Sequence, residues 1–149
     1  VDLVVVGAYA GRGRRRGTYG AVLLAAYDPE TELYQTVGKC GTGFSDAELG
    51  ALPARLAGHV RTERPARVDS HVPADVWFEP SQVVEVLSAE LTVSPNHTAG
   101  WGQLKEDAGL SMRFPRFTGR WRDDKEPQDA TTSQQLVGLY RTARRAPAD

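Results

Sequence analysis

The chain has 149 residues, a formal net charge of −1, and apolar and charged fractions of 40% and 25%. This is the make-up of one globular domain; it excludes a disordered tail and leaves no room for two full-sized domains. No apolar run approaches the roughly 20 residues needed to cross a bilayer, and Cys40, the sole cysteine, excludes an internal disulfide and argues against a zinc cluster.

Residues 2–9, DLVVVGAY, are rich in β-branched side chains and predict a first strand. GRGRRRGTYG (residues 11–20) has four glycines and no apolar period, so it predicts a loop. AVLLAAYD (21–28) and LYQTVGKC (33–40) predict a second and a third strand, joined as a hairpin by the turn at Pro29 to Glu32. Ser45 and Glu48 form a capping box, with Leu49, Leu52, Leu56 and Val60 following at helical spacing. Pro53 predicts a kink or two short helices there, because its ring would meet the carbonyl of Leu49. Residues 61–80 are a connection rich in proline and charge. VVEVLSAELTV (83–93) predicts a fourth strand carrying Leu87, Ala89, Leu91 and Val93 on one face. After a loop over residues 94–109, LSMRFPRFTGRW (110–121) predicts a fifth. Thr132, Ser133, Gln134 and Gln135 then open a terminal helix through Leu136, Leu139 and Tyr140.

Three strands, a helix, two strands and a closing helix make a mainly β chain in the order of the five-stranded Greek-key barrel called the OB-fold. All 149 residues are expected in that single domain. One outer face of such a barrel commonly binds nucleic acid.

Charge is distributed to match. Arg12, Arg14, Arg15 and Arg16 crowd the glycine loop, and Arg113, Arg116, Arg120, Arg122 and Lys125 crowd the last strand and its exit. Residues 21–100 lean acidic, with Asp28, Asp46, Glu85 and Glu90 among them. Two basic clusters on a near-neutral chain point to a polyanion. Alternation along the fifth strand puts Arg113, Pro115, Phe117, Gly119 and Trp121 on a core-facing side. It puts Phe114, Arg116, Thr118, Arg120 and Arg122 outside, as an aromatic beside a row of guanidiniums. Pro115 cannot donate to a ladder and predicts an edge or a bulge. The competing reading is that the arginines pair with the acidic middle of the chain or stay solvated. GRGRRRG and GTGFS lack the lysine of a phosphate loop. His59, His71 and His97 are separated from one another and from Cys40, so no metal site is expected.

DLVVVGAYAGRGRRRGTYGAVLLAAYD, VGKCGTGFSD and RFPRFTGRWRDDKEPQDATT together resemble the C-terminal OB-fold domain of ATP-dependent DNA ligases over nearly the whole chain. Arg120, Arg122, Asp124 and Lys125, in an R-x-R-x-D-K pattern, look like that family's final nucleotidyltransferase motif. The resemblance implies that a lysine takes AMP from ATP and passes it to the 5′-phosphate of a nick, where the 3′-hydroxyl displaces it. It further implies a domain that swings between two poses. In one, Arg120, Arg122, Asp124 and Lys125 orient the β- and γ-phosphates of ATP. In the other, Arg12, Arg14, Arg15, Arg113, Phe114 and Arg116 bind nicked duplex across the minor groove, with Phe114 pressing on sugar edges.

The family's nucleophile lies in K-x-D-G. The lysines here are Lys39, Lys105 and Lys125, and the nearest approach, KEDA at Lys105, sits in a predicted loop. The resemblance therefore implies an adenylation domain upstream of Val1 that holds most of the ATP and Mg2+, and a chain that is a piece of a longer enzyme, inactive alone. The implied partners are nicked double-stranded DNA and the upstream adenylation and DNA-binding domains, with no membrane, in a monomer. The expected location is the cytoplasm of a prokaryote or the nucleus of a eukaryote. The rival reading is a non-catalytic OB module for single-stranded nucleic acid.

Overall fold

The β-branched run after Val1 forms β1 (Asp2–Ala10), which pairs antiparallel with β2 (Tyr19–Asp28), itself paired with β3 (Leu33–Cys40). Every residue from Leu3 to Ala8 is buried, which explains why these strands read as continuous apolar runs rather than alternating ones. Leu3, Val5, Val22, Leu24 and Val37 face one core; Val4, Val6, Leu23 and Ala25 face another on the opposite side of the sheet. The computed structural model describes residues 1–88 and 90–145; Ala89, expected on a strand face, lies outside them.

The connection over residues 61–80 covers that second face. It contributes β4 (Val60–Arg61), β5 (Val68–Asp69) and β6 (Val76–Phe78), and Val68, Val72, Ala74 and Trp77 pack there. Short strands in a segment of prolines and charges escape a periodicity reading, because each is too brief to show one.

The expected fourth and fifth strands are each broken in two. The fourth is β7 (Val83–Leu87) and β8 (Glu90–Ser94); the fifth is β9 (Gly109–Arg113) and β10 (Arg116–Trp121). β8 and β9 pair as a separate ribbon, while β7 and β10 stay in the main sheet, whose order runs β10-β7-β1-β2-β3-β5. The hairpin breaks at Phe114 and Pro115. Phe114 takes a left-handed φ of 55°, and Pro115 has no N–H for the ladder. That step changes the parity of the strand: Leu110 and Met112 are buried before it and Phe117 after it, while Arg113 points outward with Phe114. The expected core-facing place for Arg113 is thereby corrected. A second irregularity follows, where Phe117 and Trp121 face Val86 and Val84 with Gly119 (φ 96°) bulged between them.

A parallel bridge between Thr42 and Arg116, with the Phe117 amide donating to Thr42 O at 2.9 Å, joins the two sides of the curled sheet. The arrangement is that of an OB-fold, with the short extra strands raising the count above five. The helix expected between the third and fourth barrel strands is α1 (Asp46–Leu56), which buries Leu49, Leu52 and Leu56. Both bonds of its capping box are present: Ser45 N donates to Glu48 Oε1 at 3.0 Å, and Glu48 N to Ser45 Oγ at 3.1 Å. Pro53 sits inside α1 without splitting it. The Leu49 carbonyl, which Pro53 has no N–H to satisfy, accepts instead from the Thr18 hydroxyl. The closing helix, α2 (Ser133–Arg145), is capped by Thr132, whose Oγ1 accepts from Gln135 N at 3.0 Å, and buries Leu136 and Val137.

Candidate functional site

The glycine loop between β1 and β2 is held against the start of α1 and the turn after β3. Thr18 reaches α1 as described, and the Arg15 guanidinium donates to Gly20 O (3.1 Å) and Gly41 O (3.3 Å). Arg15 thus spends part of its donor capacity fixing the loop. The turn at Gly41 to Gly43 then passes from Arg15 to the start of β10. Gly43, with φ 95°, lies so close to the Phe117 backbone that a Cβ would collide with it. Arg15 and Arg116, far apart in sequence, therefore flank one turn.

Around this turn the remaining charges stand outward. Arg12, Arg16 and Arg116 are exposed and make no ion pair with the described residues. Arg14 lies 3.7 Å from Asp46, with both side chains largely solvated. Arg113 pairs with Glu90 at 3.2 Å, and its guanidinium stands 5.0 Å from the centre of the Phe114 ring. Phe114 is 71% exposed, an apolar ring held outward on a left-handed backbone that favours glycine.

The R-x-R-x-D-K residues collect at the other end of β10 in a dense ion network. Arg122 donates Nε and Nη2 to the two oxygens of Asp124 at 3.0 and 2.9 Å, and Nη1 to Asp2 Oδ2 at 3.1 Å. Lys125 Nζ shares that same Asp2 oxygen at 2.9 Å. Glu85, opposite Asp2 in the β1–β7 ladder, accepts from Thr118 Oγ1 at 3.0 Å and lies 3.7 Å from Arg120 and 4.0 Å from Arg122. The hydrogen-bonded Arg122 guanidinium lowers the Asp124 carboxyl to about 2, and Asp124 in turn pushes the guanidinium further above its ordinary value. Asp2 and Glu85 escape a sequence reading of the site, although an aspartate opening an otherwise apolar strand was a visible signal. Beneath the network, the Arg55 guanidinium covers the Trp121 ring at 3.8 Å and pairs with Asp123, pinning α1 to the end of β10.

The sequence-predicted residues thus fall into two groups at opposite ends of one strand. Comparison with known proteins gives these groups a context. Residues 15–125 match the ATP dependent DNA ligase C terminal region. The chain belongs to this DNA ligase family. Its relatives include a DNA ligase of Thermoplasma volcanium, 54% identical over 95% of this chain and 24% of the relative. DNA ligase 2 of Thermofilum pendens is 53% identical over 97% of this chain and 24% of the relative. The chain spans about a quarter of the length of the curated relatives it matches. Among solved structures, the ligase domain of M. tuberculosis LigD superposes with a TM-score of 0.63 at 27% identity, covering 87% of this chain and 37% of that one. The mycobacterial DNA ligase D complexed with ATP and MES superposes at 0.60 and 25%, covering 88% and 36%. The ligase match closes on Lys125, so the R-x-R-x-D-K segment lies inside the family's span.

Proposed function

We propose that this ligase C-terminal region serves both substrates of the enzyme through the two ends of β10. The end with Phe114 and Arg116, together with Arg12, Arg14, Arg15 and Arg113, closes over the minor groove of nicked duplex DNA. The end with Arg120, Arg122, Asp124 and Lys125 turns to the β- and γ-phosphates of ATP during lysine adenylylation. The observation that carries this reading is the exposed Phe114 ring, set on a left-handed backbone between two outward arginines. A large ring held in solvent by an unfavourable backbone serves no packing purpose; beside guanidiniums it suits the sugar edges of a nick.

Some of these cations already have carboxylate neighbours. Exposed pairs such as Arg113–Glu90 and Arg120–Glu85 are worth only about 0–1 kcal/mol, so an incoming phosphate displaces the carboxylate at small cost. Backbone-directed arginines also grip a nick without reading its sequence. For the nucleotide end, guanidinium and ammonium donors fit the charge that develops on departing pyrophosphate. Among the described residues no group of three or more His, Cys, Asp or Glu side chains could hold a metal ion. Mg2+ and the nucleophilic lysine belong, in this reading, to an adenylation domain elsewhere in the enzyme, which works as a monomer.

In the full-length enzyme, Lys125→Ala is expected to slow lysyl-AMP formation about a hundredfold while sparing the sealing of a pre-adenylylated nick. Phe114→Ala is expected to slow sealing about tenfold while sparing adenylylation. Equal losses in both assays for both variants would refute the two-ended assignment. Tighter binding to single strands than to nicked duplex would favour the single-strand module instead.

A further inference from the structure

The Asp2 carboxylate stands on a firmly held stretch of backbone. Its backbone is fixed on both sides, since Asp2 N donates to Thr131 Oγ1 at 3.0 Å and Asp2 O accepts from Thr131 N at 2.8 Å, while the residue pairs with Glu85 across the sheet. Its side chain is 14% exposed, against 30% for that of Lys125. One oxygen, Oδ2, takes both Arg122 Nη1 and Lys125 Nζ. The other, Oδ1, is buried and has no hydrogen-bond partner among the described residues. A carboxylate that leaves one buried oxygen orphaned while serving two cations with the other is poorly arranged for stability alone.

We infer that Asp2 is a positioning residue for nucleotidyl transfer, one that gathers Arg122 and Lys125 into a single preorganised cationic unit. The inference rests on the assignment of those two side chains to the ATP phosphates. Arg and Lys carry long, mobile side chains that repel each other, and fixing both costs conformational entropy. Asp2 removes that repulsion, and Asp124 locks the remaining edge of the Arg122 guanidinium through two parallel bonds. The Lys125 ammonium has two donors besides the one given to Asp2, available to phosphate oxygens. Three carboxylates, Asp2, Glu85 and Asp124, balance the three cations Arg120, Arg122 and Lys125. The patch therefore attracts a polyphosphate by oriented donors rather than by net charge. Loss of the Asp2 charge would raise the net positive charge while loosening the geometry.

That opposition sets the test. In the full-length enzyme, Asp2→Asn is expected to lower the maximal rate of lysyl-AMP formation between about tenfold and about a hundredfold, with the apparent KM for ATP unchanged or reduced. The ratio of adenylylation to sealing of a pre-adenylylated nick falls accordingly, and Asp2→Glu restores part of the rate by returning a carboxylate. A merely structural role would lower both steps together and leave that ratio constant. The inference is overturned by a constant ratio, by a raised KM with the maximal rate intact, or by an Asp2→Asn enzyme that adenylylates faster, which would make Asp2 a competitor of phosphate. Lys125→Ala, assayed in parallel, separates the two claims. If it slows adenylylation and Asp2→Asn does not, the role of Asp2 alone falls; if it has no effect, the assignment of the motif falls and takes this role with it.

Discussion

His97 shows how burial sets the chemistry of a single side chain here. Its Nδ1 lies 3.2 Å from Thr36 Oγ1 in the interior, and burial, helped by the nearby Lys39 charge, lowers its pKa from 6.5 to about 4. The folded chain therefore keeps the ring neutral while the unfolded chain binds a proton, so stability from this group is present above pH 6.5 and is lost as pH falls toward about 4. Denaturant unfolding is expected to show a loss of up to about 3 kcal/mol across that window, and His97→Gln is expected to flatten it. Asp28 acts in a lower range. Burial raises its carboxyl, but bonds from Gln134, Thr31 and the amide of Glu30 outweigh that and leave it below its ordinary value. The role of His97 is not legible in the sequence, since it meets Thr36 only when distant segments close around it. For Asp28, the bonds from Glu30 and Thr31 are local and only the one from Gln134 comes from far along the chain. Phe114 is the opposite case. A ring between two arginines in a strand of basic and aromatic residues was visible at once, but its left-handed backbone was not.

At the scale of elements, β10 is the piece on which both candidate surfaces depend, and Phe117 anchors it. The ring stacks on Phe44 at 4.4 Å and meets the edge of Trp121 at 5.7 Å. Its backbone amide is bonded to Thr42. Phe117→Ala is expected to destabilise the domain by about 3–5 kcal/mol, measured by urea denaturation, and to weaken DNA binding and adenylylation together because both ends of β10 lose their support. The period-2 pattern located β10, and the caps located both helices, because these signals are local. The break at Phe114 and Pro115 was half visible: proline flagged a disturbance, whereas the change of face that turned Arg113 outward depends on how β8 and β9 peel from the main sheet. Pro53 taught the reverse lesson. Its local rule predicts a kink or two short helices; α1 is not split, and Thr18, from a loop far away in sequence, satisfies the carbonyl that Pro53 leaves without a donor.

For the whole molecule, the uneven state of the cations makes a measurable distinction. Removing one cation from a phosphate reduces the slope of log affinity against log salt by about 0.9 on duplex DNA. In nicked-duplex binding by the full-length enzyme, Arg12→Ala and Arg116→Ala are each expected to lower that slope by about one. Arg120→Ala, at the end carrying the ion network, is expected to leave it unchanged. The linear chain determined the first three strands, both helices, the family resemblance and the presence of two basic clusters, because strand composition, caps and residue spacing are properties of neighbouring residues. Tertiary structure alone decided that Arg15 and Arg116 flank one turn, that residues 61–80 cover the second face of the sheet, and that Asp2 and Glu85 meet Arg120, Arg122 and Lys125. Those relations join residues up to 123 positions apart, and only the closure of the curled sheet brings such pairs within reach of a hydrogen bond.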